Sequence, residues 1–395
     1  MAGSDHRTLK VAVETHFLEV DGKVFTDISF PYPYWREYLA VFDEVIAIAR
    51  VRRAAAVPEG WIRADGDRVR FRPVYDYLGF WQFLRHLPRI FGECWRAVSG
   101  SDPVLMRMGN ISFMCWIHLT LRGRPYAFEV VGHAGLGATR VRNVRWLKLG
   151  HLIGWLQHRF CRLTAARAAC ASYVSEYVRS LYPTRTGREW VFSSVNLPDE
   201  VFRDPRPAGS FDHSPKRIIS VGRIEPEKGH QVLIRAAREM KDRGRVGFTM
   251  EIAGPGSRIE PLRRLAVELG VADCVRLVGP VEHGAPLRAF MDNADLFVLP
   301  SLTEGMPRAL LEAMARGIPA VGSRTGGIVE LLDVGRLVAP GDASALARLM
   351  TDVLQAPADL AAMSAASIRT ARKYHLAEMN RRKHAFWRCV AELGR

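Results

Sequence analysis

The sequence predicts an α/β protein of two doubly wound, Rossmann-like domains that face a cleft. Three observations carry that reading. Short apolar runs alternate with longer amphipathic segments along the chain, the pattern of parallel strands covered by helices. The length of 395 residues exceeds one ordinary core and favours two domains. The alternation breaks at 198–216, where PDEVFRDPRPAGSFDHSPK carries four prolines and no period, the composition of a linker.

In chain order, LKVAVET (9–15) reads as a first strand, EVIAIARV (44–51) as a second, then PVLMRM (103–108) and PYAFEVVG (125–132). Amphipathic segments at 77–98 and 141–169 lie between strands, and Ser175 is placed to cap a helix. EWVFSSVN runs from a strand into a loop. Beyond the linker the unit restarts with strand KRIISVG, helix 229–242, strand FTMEIAG, helix 258–269, strand CVRLVG, helix 284–292, strand DLFVLP, helix 307–316 and strand PAVGS. The stretch 342–392 is helical in pattern and rich in basic residues. The domain assignment is 1–200 for the N-terminal domain, 201–216 for the linker, and 217–375 for the second domain. Residues 376–395 are read as a C-terminal helix that crosses back to the N-terminal domain. Right-handed crossovers make each sheet doubly wound.

The composition is globular, with 48% hydrophobic residues. No stretch has the basic-then-apolar layout of a secretory signal. The most apolar run, Val104 to Leu121, is interrupted by Arg107, Asn110 and His118 and is a poor membrane span. The six cysteines (94, 115, 161, 170, 274 and 389) form no C-x-x-C pair, so reduced thiols are expected. The net charge of +15 asks for a negative partner. Between Glu129 and Glu176 there is no acid, while Arg140, Arg142, Arg145, Lys148, Arg159, Arg162 and Arg167 interleave with Trp146, Leu152, Trp155 and Leu156. The segment 140–167 is therefore a candidate to lie on an anionic membrane surface; the plainer alternative is a solvated basic face over a core-facing stripe.

Ligands of open parallel sheets bind beyond the carboxyl ends of the strands, so the loops there are the candidate sites. In VGRIEPEKGH (221–230) a strand ends at Gly222, and Arg223 and Lys228 precede a helix start. Backbone amides, a helix N-terminus and two cations suit a diphosphate, although two solvated cations beside a turn would look the same. AGPGSR (253–258) lacks the full dinucleotide spacing and reads as a tight turn, and VGPVEHG (278–284) is a third such loop. SLTEGMPRALLEAM (301–314) places Glu304 in a loop and Glu312 on the following helix, with Pro307 at the first helical position. Pro307 to Glu312 rises ~7.5 Å, leaving free amides between two carboxylates. That arrangement fits a ligand with hydroxyls at both ends and a phosphate between them; a first-turn acid and a solvated helix residue is the alternative.

GRIEPEKG, ADLFVLPSLTEGMPRALLEAMARGIPAV and TGGIVEL together resemble glycosyltransferase family 4, retaining enzymes of the GT-B fold. The resemblance is strong over roughly 217–340 and looser over 1–200. It implies that Glu304 sits at the transferred sugar and that Glu312 binds the ribose hydroxyls. Gly305, Met306 and Pro307 would meet sugar and phosphate through the backbone, Gly222 would belong to the same substrate-binding set, and Arg223 and Lys228 would hold the leaving diphosphate. The resemblance places a catalytic histidine near His133, although the acid that commonly follows is here Ala134. The family's Gly-Gly loop after the first strand is replaced by VETHFLEVDG, which leaves Glu14 or His16 to line that position.

The function implied is transfer of a hexosyl group from a nucleotide diphosphate sugar to a hydroxyl of a glycan, lipid-linked or small-molecule acceptor. No metal or other cofactor is expected. The N-terminal segment is similar to members of bacterial capsular or exopolysaccharide assembly, which implies a cytoplasmic enzyme, peripheral on the inner face of the plasma membrane. Rival readings are an epimerase or phosphorylase on the same fold, glycosylation of a small natural product, and a non-catalytic anion- or membrane-binding protein. No nucleic-acid module is present, so no specific nucleic-acid partner is expected.

Overall fold

A computed structural model describes residues 7–27, 29–132 and 144–394. The chain divides into two compact units: Met1–Val174, Val178–Phe192 and Arg381–Arg395 form the first, and Ser175–Tyr177 with Ser193–Asn380 form the second.

Among the described residues the first unit has nine strands: β1 (Thr8–Val20), β2 (Lys23–Thr26), β3 (Glu44–Arg53), β4 (Ile62–Arg63), β5 (Val69–Val74), β6 (Val104–Arg107), β7 (Ala127–Val130), β8 (Cys170–Tyr173) and β9 (Glu189–Val191). Its helices are α1 (Tyr32–Arg36), α2 (Gly79–Arg85), α3 (Leu87–Val98), α4 (Asn110–Leu121), α5 (Val144–Arg167) and α6 (Glu176–Leu181), whose first two residues belong to the second unit. Seven strands run parallel in the order β5-β3-β1-β6-β7-β8-β9. The first strand is nearly twice as long as its apolar run suggests. Its pairing with β3 shifts register between Ala12 and His16, and beyond that bulge it hairpins antiparallel with β2. The half-exposed strand β5 alternates valine and phenylalanine with arginine and carries no continuous apolar run.

The second unit is a six-stranded parallel sheet in the order β12-β11-β10-β13-β14-β15. Its strands are β10 (Lys216–Val221), β11 (Phe248–Ala253), β12 (Val275–Gly279), β13 (Leu296–Leu299), β14 (Ala320–Ser323) and β15 (Leu337–Val338). Between and after them come α7 (His230–Arg243), α8 (Ile259–Glu268), α9 (Ala285–Asp292), α10 (Arg308–Ala315), α11 (Ala343–Leu354), α12 (Pro357–Arg372) and α13 (Leu376–Ala391). Successive strand residues point to opposite faces. Ile218, Met250, Leu296 and Val298 accordingly pack in one core cluster with Leu233 of α7 and Leu346 of α11. Their neighbours Ile219, Ala253, Phe297 and Leu299 pack in another, with Leu287 of α9 and Leu310 and Met314 of α10.

The proline-rich stretch is not a free tether. It adheres to the second unit by named contacts. Phe211 is buried in that core, the Arg206 amide donates to Ser364 Oγ at 2.9 Å, and the Arg203 amide donates to the Ala315 carbonyl at 3.0 Å. Buried Asp295 anchors it, accepting from Arg206 (3.3 Å), His213 Nε2 (3.1 Å) and the Arg217 amide (2.8 Å). The last helix ends in the first unit, where Phe386, Trp387 and Val390 are buried with Trp35, Tyr38 and Phe42.

All six cysteines are free, five of them buried and Cys274 half-buried. Among the described residues no helix is long and apolar enough to cross a membrane. On α5 the outward face is apolar as well as basic: Leu152, Trp155, Leu156 and Leu163 are exposed, and Arg159 lies over the Trp155 ring.

Candidate functional site

The strand order of the second unit reverses between β10 and β13, since β10 is followed outward on one side by β11 and on the other by β13. Loops after these two adjacent strands diverge at such a switch point, and ligands of open α/β sheets bind there. The loop after β10 is 222–229 and the loop after β13 is 300–307.

The two loops are bound to each other. The Leu302 amide donates to the Glu227 carbonyl at 2.8 Å. Gly229 has φ +68°, and a Cβ there would lie 2.0 Å from the Pro300 carbonyl oxygen, so the turn into α7 demands glycine on both grounds. Across this seam Lys228 Nζ meets Glu304 Oε1 at 2.5 Å, and Ser301 Oγ donates to the same oxygen at 3.0 Å. Their side chains are only 18% and 8% exposed, so the pair is screened less than a surface ion pair.

A third loop buttresses the second. After β14, the Gly327 amide donates to the Gly305 carbonyl at 2.9 Å, and a Cβ on Gly326 would stand 1.9 Å from the Glu304 carbonyl oxygen. A fourth supports the first. The Gly222 amide donates to the Ala253 carbonyl at 3.0 Å, the Ile224 amide to the Pro255 carbonyl at 2.7 Å, and Glu225 takes the Ser257 amide at 3.0 Å. Glu304 and Lys228 are thereby positioned by backbone on every side.

Helix α10 begins one residue later than the sequence suggests. Pro307 is the extended residue before the helix, and its carbonyl accepts from the Leu311 amide at 3.2 Å. No side chain caps the helix, so its first amides remain available to an anion. Met306 packs against the core beneath the loop. Glu312 is half-buried on α10, and its carboxylate makes no hydrogen bond to a described residue. Burial pushes its pKa up, against the pull of His283, Arg308 and Arg288 nearby.

The structure thus brings Lys228, Glu304, Gly305 and Ser301 together. Gly222 lies at the end of β10, Arg223 is exposed and pairs with Glu227 at 3.2 Å, and Glu312 stands on α10 with its own basic neighbours. His133 lies outside the described residues. Sequence reasoning did not single out Ser301, Glu227 or His230. The last is buried at the start of α7 with its Nδ1 unpartnered, and its pKa is pushed down to about 4 by burial, with Lys228 adding to the shift. A neutral His230 therefore adds no second positive charge beneath Lys228. Among the described residues no group of His, Cys, Asp and Glu is placed to hold a metal ion.

Residues 215–356 match the family described as "Glycosyl transferases group 1". The chain is 41% identical over 159 residues to the amylovoran biosynthesis glycosyltransferase AmsK of Erwinia amylovora, covering 38% of each chain. It is 26% identical over 337 residues to protein CapJ of Staphylococcus aureus, covering 82% of this chain and 81% of that one. The match to AmsK therefore spans well under half of that relative's length, whereas the match to CapJ is nearly full-length at lower identity. Among solved structures, Anabaena Alr3699/HepE in complex with UDP superposes with a TM-score of 0.65 at 15% identity, covering 96% of this chain and 98% of that one. A likeness of that kind identifies the fold, two parallel-sheet α/β domains of GT-B type.

Proposed function

We propose that this chain, whose residues 215–356 match the group 1 glycosyltransferase family, is a retaining hexosyltransferase that uses a nucleotide diphosphate sugar. The observation that carries the reading is the fixed Lys228–Glu304 pair, set beside an uncapped helix that bears the unpaired carboxylate of Glu312. Lys228 and Arg223 neutralise the diphosphate, whose charge grows as it leaves. Glu304 accepts from hydroxyls of the transferred sugar, and Glu312 accepts from the ribose hydroxyls. Gly305 and Met306, with the first amides of α10 after Pro307, meet the sugar and phosphates, and Gly222 lets the strand end approach them closely. The bond from the anomeric carbon to phosphate breaks as the acceptor oxygen bonds the same face. The acceptor proton passes to the leaving phosphate oxygen.

The acceptor in this reading is a glycan or lipid-linked hydroxyl of polysaccharide or glycolipid synthesis, taken by the first unit. The names of the relatives support that: AmsK is an amylovoran biosynthesis enzyme, and a 32% identical relative in Mycolicibacterium smegmatis is a GDP-mannose-dependent phosphatidylinositol monomannoside mannosyltransferase. The outward row Leu152, Trp155, Leu156 and Leu163 on basic α5 supports peripheral attachment to an anionic membrane face.

The test is a panel of UDP-glucose, UDP-galactose and GDP-mannose incubated with the protein and bacterial lipid extract, following nucleotide release and product. Transfer from one donor is expected. Consumption of a donor with no acceptor, or a phosphate requirement, would replace this reading with an epimerase or phosphorylase. Flotation with phosphatidylglycerol vesicles tests the membrane face: binding is expected at low salt, and failure to float removes it.

A further inference from the structure

A second polar constellation stands in the first unit where β1 runs on beyond its pairing with β6. The bulge in β1 places His16 in register with Arg50 of β3, which is in register with Val74 at the end of β5. Two residues past Val74, Asp76 turns its carboxylate back onto this row. Its Oδ1 lies 2.5 Å from His16 Nδ1. The Asp76 side chain is 8% exposed and that of His16 is 41% exposed. The only other charged partner of Asp76 among the described residues is exposed Arg52, at 3.9 Å. The carboxylate therefore fixes the ring orientation and tautomer of His16: Nδ1–H donates to Asp76, and in the neutral ring Nε2 is left as an acceptor. No described residue hydrogen-bonds that Nε2.

The residues around the dyad are already committed. Glu14, two positions before His16, accepts from the Tyr77 hydroxyl and from the Ile111 amide at 2.9 Å, so it closes the N-terminus of α4. Arg50 donates to the Glu14 and Tyr77 carbonyls. These contacts hold the floor, and His16 is the member whose polar atom remains open.

The second unit contains an internal control. His213 also pairs with a buried aspartate, but Asp295 accepts from Arg206 and the Arg217 amide as well and pins the proline-rich segment. There the carboxylate is shared among structural partners. In the first unit the nearest partner of the carboxylate is one imidazole, and among the described residues only exposed Arg52, at 3.9 Å, adds to it. Phe80 and Trp81 of α2, four and five residues beyond Asp76, expose ring surface of the kind that lines small-molecule sites.

We infer that His16, oriented by Asp76, is an acceptor contact whose Nε2 accepts a hydrogen bond from a saccharide hydroxyl, with Asp76 as its positioning residue. This rests on the reading that the first unit takes a saccharide acceptor. The test uses the full chain labelled with ¹⁵N-histidine, with His16 signals assigned by their loss in His16→Gln. Methyl glycosides of glucose, galactose and mannose are titrated in turn. At least one is expected to shift the His16 ring signals saturably while His213 stays still. Asp76→Asn is expected to weaken that binding by roughly fivefold or more, the loss of one oriented hydrogen bond. The inference is overturned if no glycoside moves His16 beyond His213, or if Asp76→Asn lowers the melting temperature and leaves sugar affinity unchanged. The readout needs no turnover. Saturable binding at His16 without nucleotide release would sink the transferase reading alone, and nucleotide release without binding at His16 would sink this inference alone.

Discussion

Each unit is built on a sheet of its own, with polar residues gathered where that sheet meets its helices and loops, yet the two treat those residues differently. In the second unit the strand-end loops brace one another through backbone, with glycines where carbonyls press close, and this frees Glu312 and the start of α10 from structural duty. In the first unit the strand-end side chains are the brace. Glu14 fills the N-terminus of α4, and a Cβ on Gly109 would lie 2.6 Å from its own. A carboxylate at a helix start does the work that a bound anion would otherwise do. One fold can thus keep its strand ends open for a charged ligand or satisfy them internally, and the choice lies in a few loop residues.

Four experiments probe that contrast. The largest effect is expected at the pair itself. Lys228→Ala or Glu304→Ala should cut nucleotide release by ~10²–10³-fold, the size of losing one preorganised electrostatic contact. Both should keep a native circular dichroism spectrum, and near-normal turnover in either would dissolve the site. Next, Gly326→Ala and Gly229→Ala should each lower unfolding stability by about 2–4 kcal/mol, combining left-handed strain with overpacking. Gly335→Ala, with nothing within 4 Å of its added Cβ, should leave the urea midpoint where it was.

Glu14→Gln should destabilise by about 1–3 kcal/mol through the weakened α4 cap and Tyr77 contact, leaving UDP or GDP affinity unchanged. A matching fall in nucleotide affinity would show that the units are not the separate devices described. The smallest effect concerns Glu312. Its folded pKa is raised, so protonation favours the free fold: the stabilising contribution is complete below the unfolded value and is lost as pH rises through the folded one. Nucleotide needs the ionised form and should bind less tightly as pH falls through that raised value. Glu312→Gln should weaken nucleotide binding about tenfold at neutral pH, flatten this dependence and slightly raise the melting temperature of the free protein. An unaltered pH profile by calorimetry would remove Glu312 from the ribose.

Most of the second unit is legible in the sequence because its strands are short, mostly buried apolar runs, and the first three end at a glycine (Gly222, Gly254 and Gly279). The first unit hides more. The segment ETHFLEV continues β1 only because a bulge lets it change partners, and a local run of residues carries no sign of that. The VRFRPV segment is a strand whose arginines face outward, so its hydrophobicity is too low to stand out. Residues 110–121 belong to the most apolar run yet form a helix, α4, whose period is hidden because Phe113, Trp116, Ile117 and Leu121 carry apolar character beyond its buried face. At the site, residue types could be read, but the contact of Lys228 with Glu304 spans 76 positions and exists only once the strand order is known. His16 and Asp76 are 60 positions apart, and no motif links them.

The close approach of Gly326 to the Glu304 carbonyl bears on how this chain would look under saturation mutagenesis. Every substitution at Gly326 or Gly229 must displace a carbonyl or strain the backbone, so both positions would score as intolerant as Glu304 itself. Neither offers a side chain to any substrate. A fitness map read without coordinates would count them as ligand contacts, and would count Glu312, whose loss is graded, as a lesser residue than the two glycines that hold the loops in place.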